Sequence, residues 1–266
     1  MIDPPLTIAG HAALFDSSGR LMPWTSWRVA LEREMQFYQR CPKDHGYPRF
    51  VYATFLDGDW NLSLQRTDSI PATQNGMGIL SYLKYQAFRG GDLRYLESAR
   101  LMGDYLITES LTPPFGKYPA FTRSTGRRDQ FPLAEDSGSQ SDGPYEIEPD
   151  KGGIAGYALW LLHEATGERK YAAQALQNAR VLAANQLEGD ASHSPWPFRV
   201  DYRSGEGRGP ISGNMTYILR LYDALLSSGH TEFSASRESL WNWIKRHQIP
   251  DAMAEGRLFA QFFEDH

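Results

Sequence analysis

The sequence predicts an all-α fold, an α/α toroid built of repeated helical hairpins. Two observations carry this: a segment pattern that recurs along the chain, and apolar residues at helical spacing inside each copy. Residues 74–107 read QNGMGILSYLKYQAFRGGDLRYLESARLMGDYLI, and residues 151–184 read KGGIAGYALWLLHEATGERKYAAQALQNARVLAA. In one register Gly91-Asp92-x-x-Tyr95 falls on Gly167-Glu168-x-x-Tyr171, and Gly76 falls on Gly152. A third copy over 212–248 places Gly229-x-x-x-Phe233 on the same pattern.

Taken in order, Trp24 to Arg40 fits an amphipathic helix, and Trp60 to Ser69 fits a short strand or extended segment. Each repeat then reads as a helix of about fifteen residues, a tight turn containing glycine, and a second helix of similar length. In the second repeat Ile154, Tyr157, Ala158, Leu161, Leu162 and Ala165 mark the predicted buried face of the first helix. Tyr171, Ala175, Leu176, Ala179, Leu182 and Ala183 mark that of its partner. Gly167 stands where a helix end takes a left-handed residue, and Glu168 opens the next helix with a favourable charge for its dipole.

The connectors Thr108 to Asp150 and Glu188 to Ile211 are long, polar and aromatic. Connectors of that length in a compact domain are functional surfaces or disordered segments, and the aromatic content favours the former. With one helix of each hairpin inside and one outside, every connector returns to the same end. The loops then meet at the N-termini of the inner helices, where amide groups and the dipole favour anionic ligands.

Composition narrows the function. At 266 residues and 41% hydrophobic, the chain can bury one sizeable core, so a single domain over 1–266 is expected. A net charge of −5, with no basic run beyond Arg127-Arg128, argues against nucleic acid. No apolar run reaches the roughly 18 to 20 residues of a membrane span, and Met1 to Gly10 lacks the pattern of a secretory signal, so a soluble chain is expected. The lone Cys41 excludes an internal disulfide and a cysteine-based metal site, and no His-x-x-x-His pair occurs, so no metal is expected. The phosphate-binding glycine loops are absent too, so no nucleotide cofactor is expected. Aromatic residues are abundant at 13%. Many lie beside Pro, Gly or charge, which suits stacking on sugar faces or anchoring of the loops.

Four groups of residues can carry chemistry. Glu146, Glu148 and Asp150 precede and open an inner helix: Pro149 drives Glu148 toward extended geometry, and alternation puts Glu146 and Glu148 on one side. They can form an acid and base pair split by unequal burial, or Asp150 can simply cap the helix while the glutamates bind arginines. His193, Trp196, Arg199, Asp201 and Tyr202, followed by Arg208 and Asn214, gather many polar functions beside two prolines. Arg199 and Asp201 would project together from an extended strand, as ligand groups or as an ordinary ion pair. Gln74 and Asn75 open the first inner helix, where amides can bond sugar hydroxyls or cap the helix. Lys117, Tyr118 and Arg123 offer contacts to a carboxylated substrate.

Inner helices that open with Gly or Asn, the turn Ala165-Thr-Gly-Glu-Arg-Lys-Tyr171 and the loop Ser194-Pro-Trp-Pro-Phe198 resemble the six-hairpin glycosidase superfamily. The likeness extends to related α/α-toroid polysaccharide lyases and sugar epimerases. Asn214-Met-x-x-Ile-Leu-Arg-Leu221 with the Trp-Pro loop is similar to pectate lyases of the open-toroid kind. The resemblance covers roughly Gln74 to Gln248. Arg208-Gly-Pro-Ile-Ser-Gly-Asn214 departs from the Trp-Ala-Arg-Gly-Asn-Gly stretch of unsaturated uronyl hydrolases. Three hairpins, an N-terminal helix and a last segment Met253 to Phe263 fall short of six hairpins, so an open or incomplete toroid is expected.

The resemblance implies a carbohydrate-active enzyme that hydrolyses glycosidic bonds of an oligo- or polysaccharide, with uronate-containing chains among the substrates it admits. Asp150 or Glu148 would then be the acid and Asp201 or Glu146 its partner. The alternatives are a polysaccharide lyase using Tyr202, His193 and Arg199 or Arg123, and a non-catalytic glycan-binding module.

Overall fold

The computed structural model describes residues 71–124, 145–212 and 214–254, together with 15–20, the helix Trp27–Arg40 and the backbone of several short strands. The chain divides into two compact units, Met1–Pro42 and Lys43–His266. In the first, β1 (Thr7–Ile8) pairs antiparallel with β2 (His11–Ala12), and α1 spans Trp27–Arg40. The helix expected from Trp24 is therefore present from Trp27, and Trp24 itself lies outside the described residues, as do Cys41 and Arg127-Arg128.

The second unit opens with two antiparallel strand pairs, β3 (Lys43–Asp44) with β4 (Tyr47–Pro48) and β5 (Val51–Leu56) with β6 (Leu62–Thr67). The extended segment expected over 60–69 is β6. Three helical hairpins follow. The first joins α2 (Pro71–Phe88) to α3 (Leu93–Thr108). After β7 (Glu146–Ile147), the second joins α4 (Pro149–Thr166) to α5 (Arg169–Ala184). Strands β8 (Arg199–Asp201) and β9 (Gly207–Arg208) then complete a small antiparallel sheet in the order β7-β8-β9. The third hairpin joins α6 (Thr216–Ser227) to α7 (Ser234–Trp243), which continues through a π-helical turn (Ile244–Gln248) into α8 (Ile249–Ala254).

Local chemistry explains these boundaries. Pro149 occupies the start of α4, where its missing N–H costs no hydrogen bond. Gly167 ends that helix at φ 74°, and its N–H donates to the His163 carbonyl. Asp92 caps α3 by accepting the Arg94 N–H.

Helix α4 lies between α2 on one side and α6 on the other. A helix covered on two sides needs apolar or small residues over a wide arc. Accordingly Pro149 to Gly156, Ala158, Leu159, Trp160 and Leu162 are all buried. This corrects the narrower face expected from periodicity: Tyr157 and Leu161 are half-buried and Ala165 is exposed, while Ala155, Leu159 and Trp160 are buried instead. Two glycines set the spacing. A Cβ on Gly76 would come within 2.9 Å of the Ile154 side chain and 3.3 Å of the Ala155 nitrogen. One on Gly153 would come within 2.5 Å of the Ile218 side chain.

Helix α5 buries two amides, Gln174 and Asn178, among its apolar residues. They hold the connector that follows the first hairpin. Gln174 Nε2 donates to the Ala120 carbonyl, Gln177 Nε2 to Pro119, and Asn185 Nδ2 to Lys117, each at 2.8 Å. Asn178 Nδ2 donates to Thr122 Oγ1 and to the Gly152 carbonyl, so one side chain ties the connector to α4 as well. On the outside, Arg100 pairs with Glu168 at 2.7 Å and Lys170 with Asp104 at 2.6 Å, joining the first two hairpins. Among the described residues no helix is long and apolar enough to cross a membrane.

Candidate active site

The start of α4 holds a row of buried charges. Pro149 keeps Glu148 extended, at φ −109° and ψ 109°, and Asp150 follows in the first helical turn, where the dipole favours a carboxylate. Glu148 Oε1 lies 3.4 Å from an Arg199 nitrogen, and Lys151 Nζ lies 3.8 Å from Glu148 and 3.5 Å from Asp150. The order Arg199, Glu148, Lys151, Asp150 thus alternates in sign, as buried charge requires. All four residues are less than a tenth exposed. The Arg199 guanidinium also lies 4.2 Å from the centre of the Phe198 ring, and the Glu148 N–H donates to Ser124 Oγ.

Asp150 is the exception within the row. Neither of its carboxyl oxygens makes a hydrogen bond. Burial raises its pKa above the ordinary aspartate range; Lys151 and then the Ser212 hydroxyl oppose that shift. Ser212, just before α6, approaches from the third hairpin, yet its Oγ falls outside hydrogen-bond geometry. Its own N–H donates to Ser194 Oγ. Asn75 Oδ1, at the start of α2, is likewise buried without a hydrogen bond. The starts of α2 and α4 and the approach to α6 therefore each carry a buried polar atom without a hydrogen bond. Such atoms cost free energy unless a water or ligand meets them.

The other acidic residues are committed elsewhere. Glu146 and Asp201 face each other across β7 and β8, and Arg199 faces Arg208 across β8 and β9. Glu146 and Glu148 each take one of those two arginines: Arg208 grips Glu146 with two nitrogens, and Arg199 pairs with Glu148. The pairing of Arg199 with Asp201 does not occur. Asp201 binds Arg203 instead, because the turn after β8 brings the Arg203 N–H and guanidinium back onto it.

Four residues expected to face substrate lie elsewhere. Trp196 is wholly buried, and its indole N–H donates to the Leu182 carbonyl, so it anchors the loop rather than offering a stacking face. His193 sits in an exposed turn closed by Asp190, its ring 3.1 Å from that carboxylate. Tyr118 is buried against Phe121, and burial raises its pKa. Arg123 is buried too, its pKa pulled down to about 10 by burial, and it donates to the Glu109 carbonyl at the end of α3.

Tyr202 is buried and splices loops through its backbone: its N–H donates to Tyr145 and its carbonyl accepts from Lys117 and Tyr118. Lys117 is exposed, whereas Gln74 and Asn214 are half-buried at the helix starts. Gly213 lies outside the described residues. Lys151, Ser212 and Ser124 were not singled out from the sequence as chemical groups. The run Pro149-Asp-Lys-Gly152 at a helix start was the available signal for Lys151, and none marked the two serines. Among the described residues no group of three or more His, Cys, Asp or Glu could hold a metal ion.

No family model and no curated protein matches the sequence. Solved structures do match. Cellobiose 2-epimerase from Spirochaeta thermophila DSM 6192 superposes with a TM-score of 0.60 at 16% identity, over 85% of this chain and 57% of its own. A sugar epimerase from a ruminal bacterium gives 0.59 at 15% identity, over 84% and 56%. The fold is the α/α toroid. A polysaccharide lyase also shares this toroid, with a TM-score of 0.52 at 13% identity, over 82% of this chain and 54% of its own. The chain thus spans just over half the length of these toroids, as expected of an open or incomplete one.

Proposed function

We propose that this chain belongs to a carbohydrate-active enzyme that hydrolyses glycosidic bonds in an oligo- or polysaccharide, with Asp150 as the proton donor. The observation that supports the reading is the Asp150 carboxyl, buried at the rim of the inner helices without a hydrogen bond. A glycosidic oxygen leaves readily only when it is protonated, and a carboxyl of ordinary pKa is ionised at neutral pH. Burial holds Asp150 toward its neutral form, as a general acid requires.

Hydrolysis also needs a second carboxylate, about 5 to 10 Å from the first according to the stereochemical outcome. Glu148, Glu146 and Asp201 are each paired with an arginine, but Glu148 is also enclosed in the buried row, so Glu146 and Asp201, half-buried and open to water, are the stronger candidates. Asn75 and Ser212 would meet substrate hydroxyls with the polar atoms that now lack partners.

A second reading is epimerisation of a reducing-end sugar, favoured by the names of the two sugar epimerases reported above. Product analysis on a panel of neutral and uronate-containing oligosaccharides separates the possibilities. Hydrolysis yields shorter chains and new reducing ends, epimerisation an isomer of unchanged mass, and elimination an unsaturated uronate. Asp150→Asn should lower turnover by about a hundredfold or more while leaving the circular dichroism spectrum unchanged. Full activity in that variant would overturn the assignment. Binding by the wild-type chain without any turnover would mark a non-catalytic glycan-binding module.

A further inference from the structure

The loop tip Phe115-Gly116-Lys117 is held rigidly yet exposes its two side chains. Gly116 has φ +89°, and a Cβ there would lie 2.6 Å from the Tyr202 carbonyl oxygen and 2.8 Å from the Arg203 Cα. The tip therefore docks on the turn after β8 so closely that only glycine fits. The Lys117 N–H donates to the Tyr202 carbonyl, and its own carbonyl accepts from Asn185. Three residues on, Ala120 takes φ +46°, a left-handed conformation that non-glycine residues rarely adopt, and Gln174 secures its carbonyl.

On this support Phe115 stays 59% exposed, its ring 6.1 Å from that of Tyr202. A large apolar side chain on an ordered tip, outside the core, suits a flat ligand with a C–H face. Beside it the aliphatic stem of Lys117 lies against Gly205, where a Cβ would meet its Cγ at 3.2 Å. The Lys117 ammonium makes no ion pair among the described residues. The neighbouring cations are occupied: Arg203 by Asp201, Arg208 by Glu146, and Arg199 by Glu148.

We infer that this tip is a sugar subsite for a uronate: Phe115 stacks on the pyranose face and Lys117 binds the ring carboxylate. The inference rests on the carbohydrate reading above and adds a substrate class to it. It does not depend on Asp150 being the acid.

Binding of oligogalacturonate and of a cello-oligosaccharide of equal length to the 266-residue chain, measured by calorimetry, tests it. The measurement is made in the wild-type and the Asp150→Asn backgrounds. Phe115→Ala should weaken both ligands. Lys117→Gln should weaken oligogalacturonate about threefold to fivefold and leave the neutral ligand unchanged. Gly116→Ala should lower affinity for both by lifting the tip from its seat. Lys84→Gln, at an exposed site on α2, should change neither, which separates a local contact from net charge.

Absence of oligogalacturonate binding, or uronate affinity unaffected by Lys117→Gln or by Phe115→Ala, would overturn the inference. Uronate binding that depends on the tip without any turnover would leave it standing while the hydrolase reading fails. Turnover without these dependences would do the reverse.

Discussion

At the scale of single residues, the informative contrast is between Asp150 and its acidic neighbours. Glu146, Glu148 and Asp201 each have an arginine within salt-bridge distance, whereas Asp150 has Lys151 at 3.5 Å and no hydrogen bond. Its raised pKa has a consequence for stability. The unfolded chain releases this proton near the ordinary value of 3.8, and the folded protein retains it to higher pH. Over that interval the folded state binds more protons, so the contribution of Asp150 to stability falls as pH rises. Asp150→Asn removes the ionisation. Its stability relative to the wild type should therefore climb from about pH 4 upward and level off above the folded pKa. Urea denaturation of both proteins across a pH series checks this, and a flat difference would mean that burial does not perturb the group.

At the scale of elements, the centre of the unit is the contact of α4 with α2 and α6. It depends on residues too small to hold the helices apart, among them Gly76 and Gly153. Gly153→Ala would drive a methyl group into the Ile218 side chain at 2.5 Å and toward its backbone nitrogen at 3.0 Å. Overpacking of this kind costs about 1–3 kcal/mol, and contact with the α6 backbone puts this site toward the upper end, against the roughly 1 kcal/mol that alanine gains over glycine in helix propensity at an exposed site. A lowered urea midpoint with an unchanged slope is the expected result. Unchanged stability would mean that α6 shifts away freely. Helix α5 works differently: Gln174, Gln177 and the capping Asn185 donate to connector carbonyls, and Asn178 donates to the Thr122 hydroxyl of the same connector and to the Gly152 carbonyl of α4.

At the scale of the whole molecule, hairpins that contact mainly their neighbours divide stability unevenly. Helix α4 has inner helices on both sides, whereas α7 buries only Leu240 and Trp243 and the π-helical turn after it buries nothing. Amide hydrogen exchange should accordingly be slowest in α4 and fastest, among the described helices of the second unit, from α7 through α8. Equal protection across all three hairpins would show instead that they open as one cooperative body.

The repeat, the hairpin helices and the glycine turns were legible in the sequence because they follow from short-range regularities. Helical periodicity, a left-handed position at Gly167 and a proline at the start of α4 act over a few residues. The acidic run before α4 was also visible, since Pro149 constrains its immediate neighbours. Tertiary structure alone decided the partners. Arg199 chooses Glu148 over Asp201, Trp196 turns into the core, and Arg123 and Tyr118 are buried by the fold of their own connector while Phe115 stays outside. Each of these outcomes depends on which segment arrives opposite and how much water it displaces. That information resides in contacts between residues tens of positions apart, where spacing along the chain carries no signal.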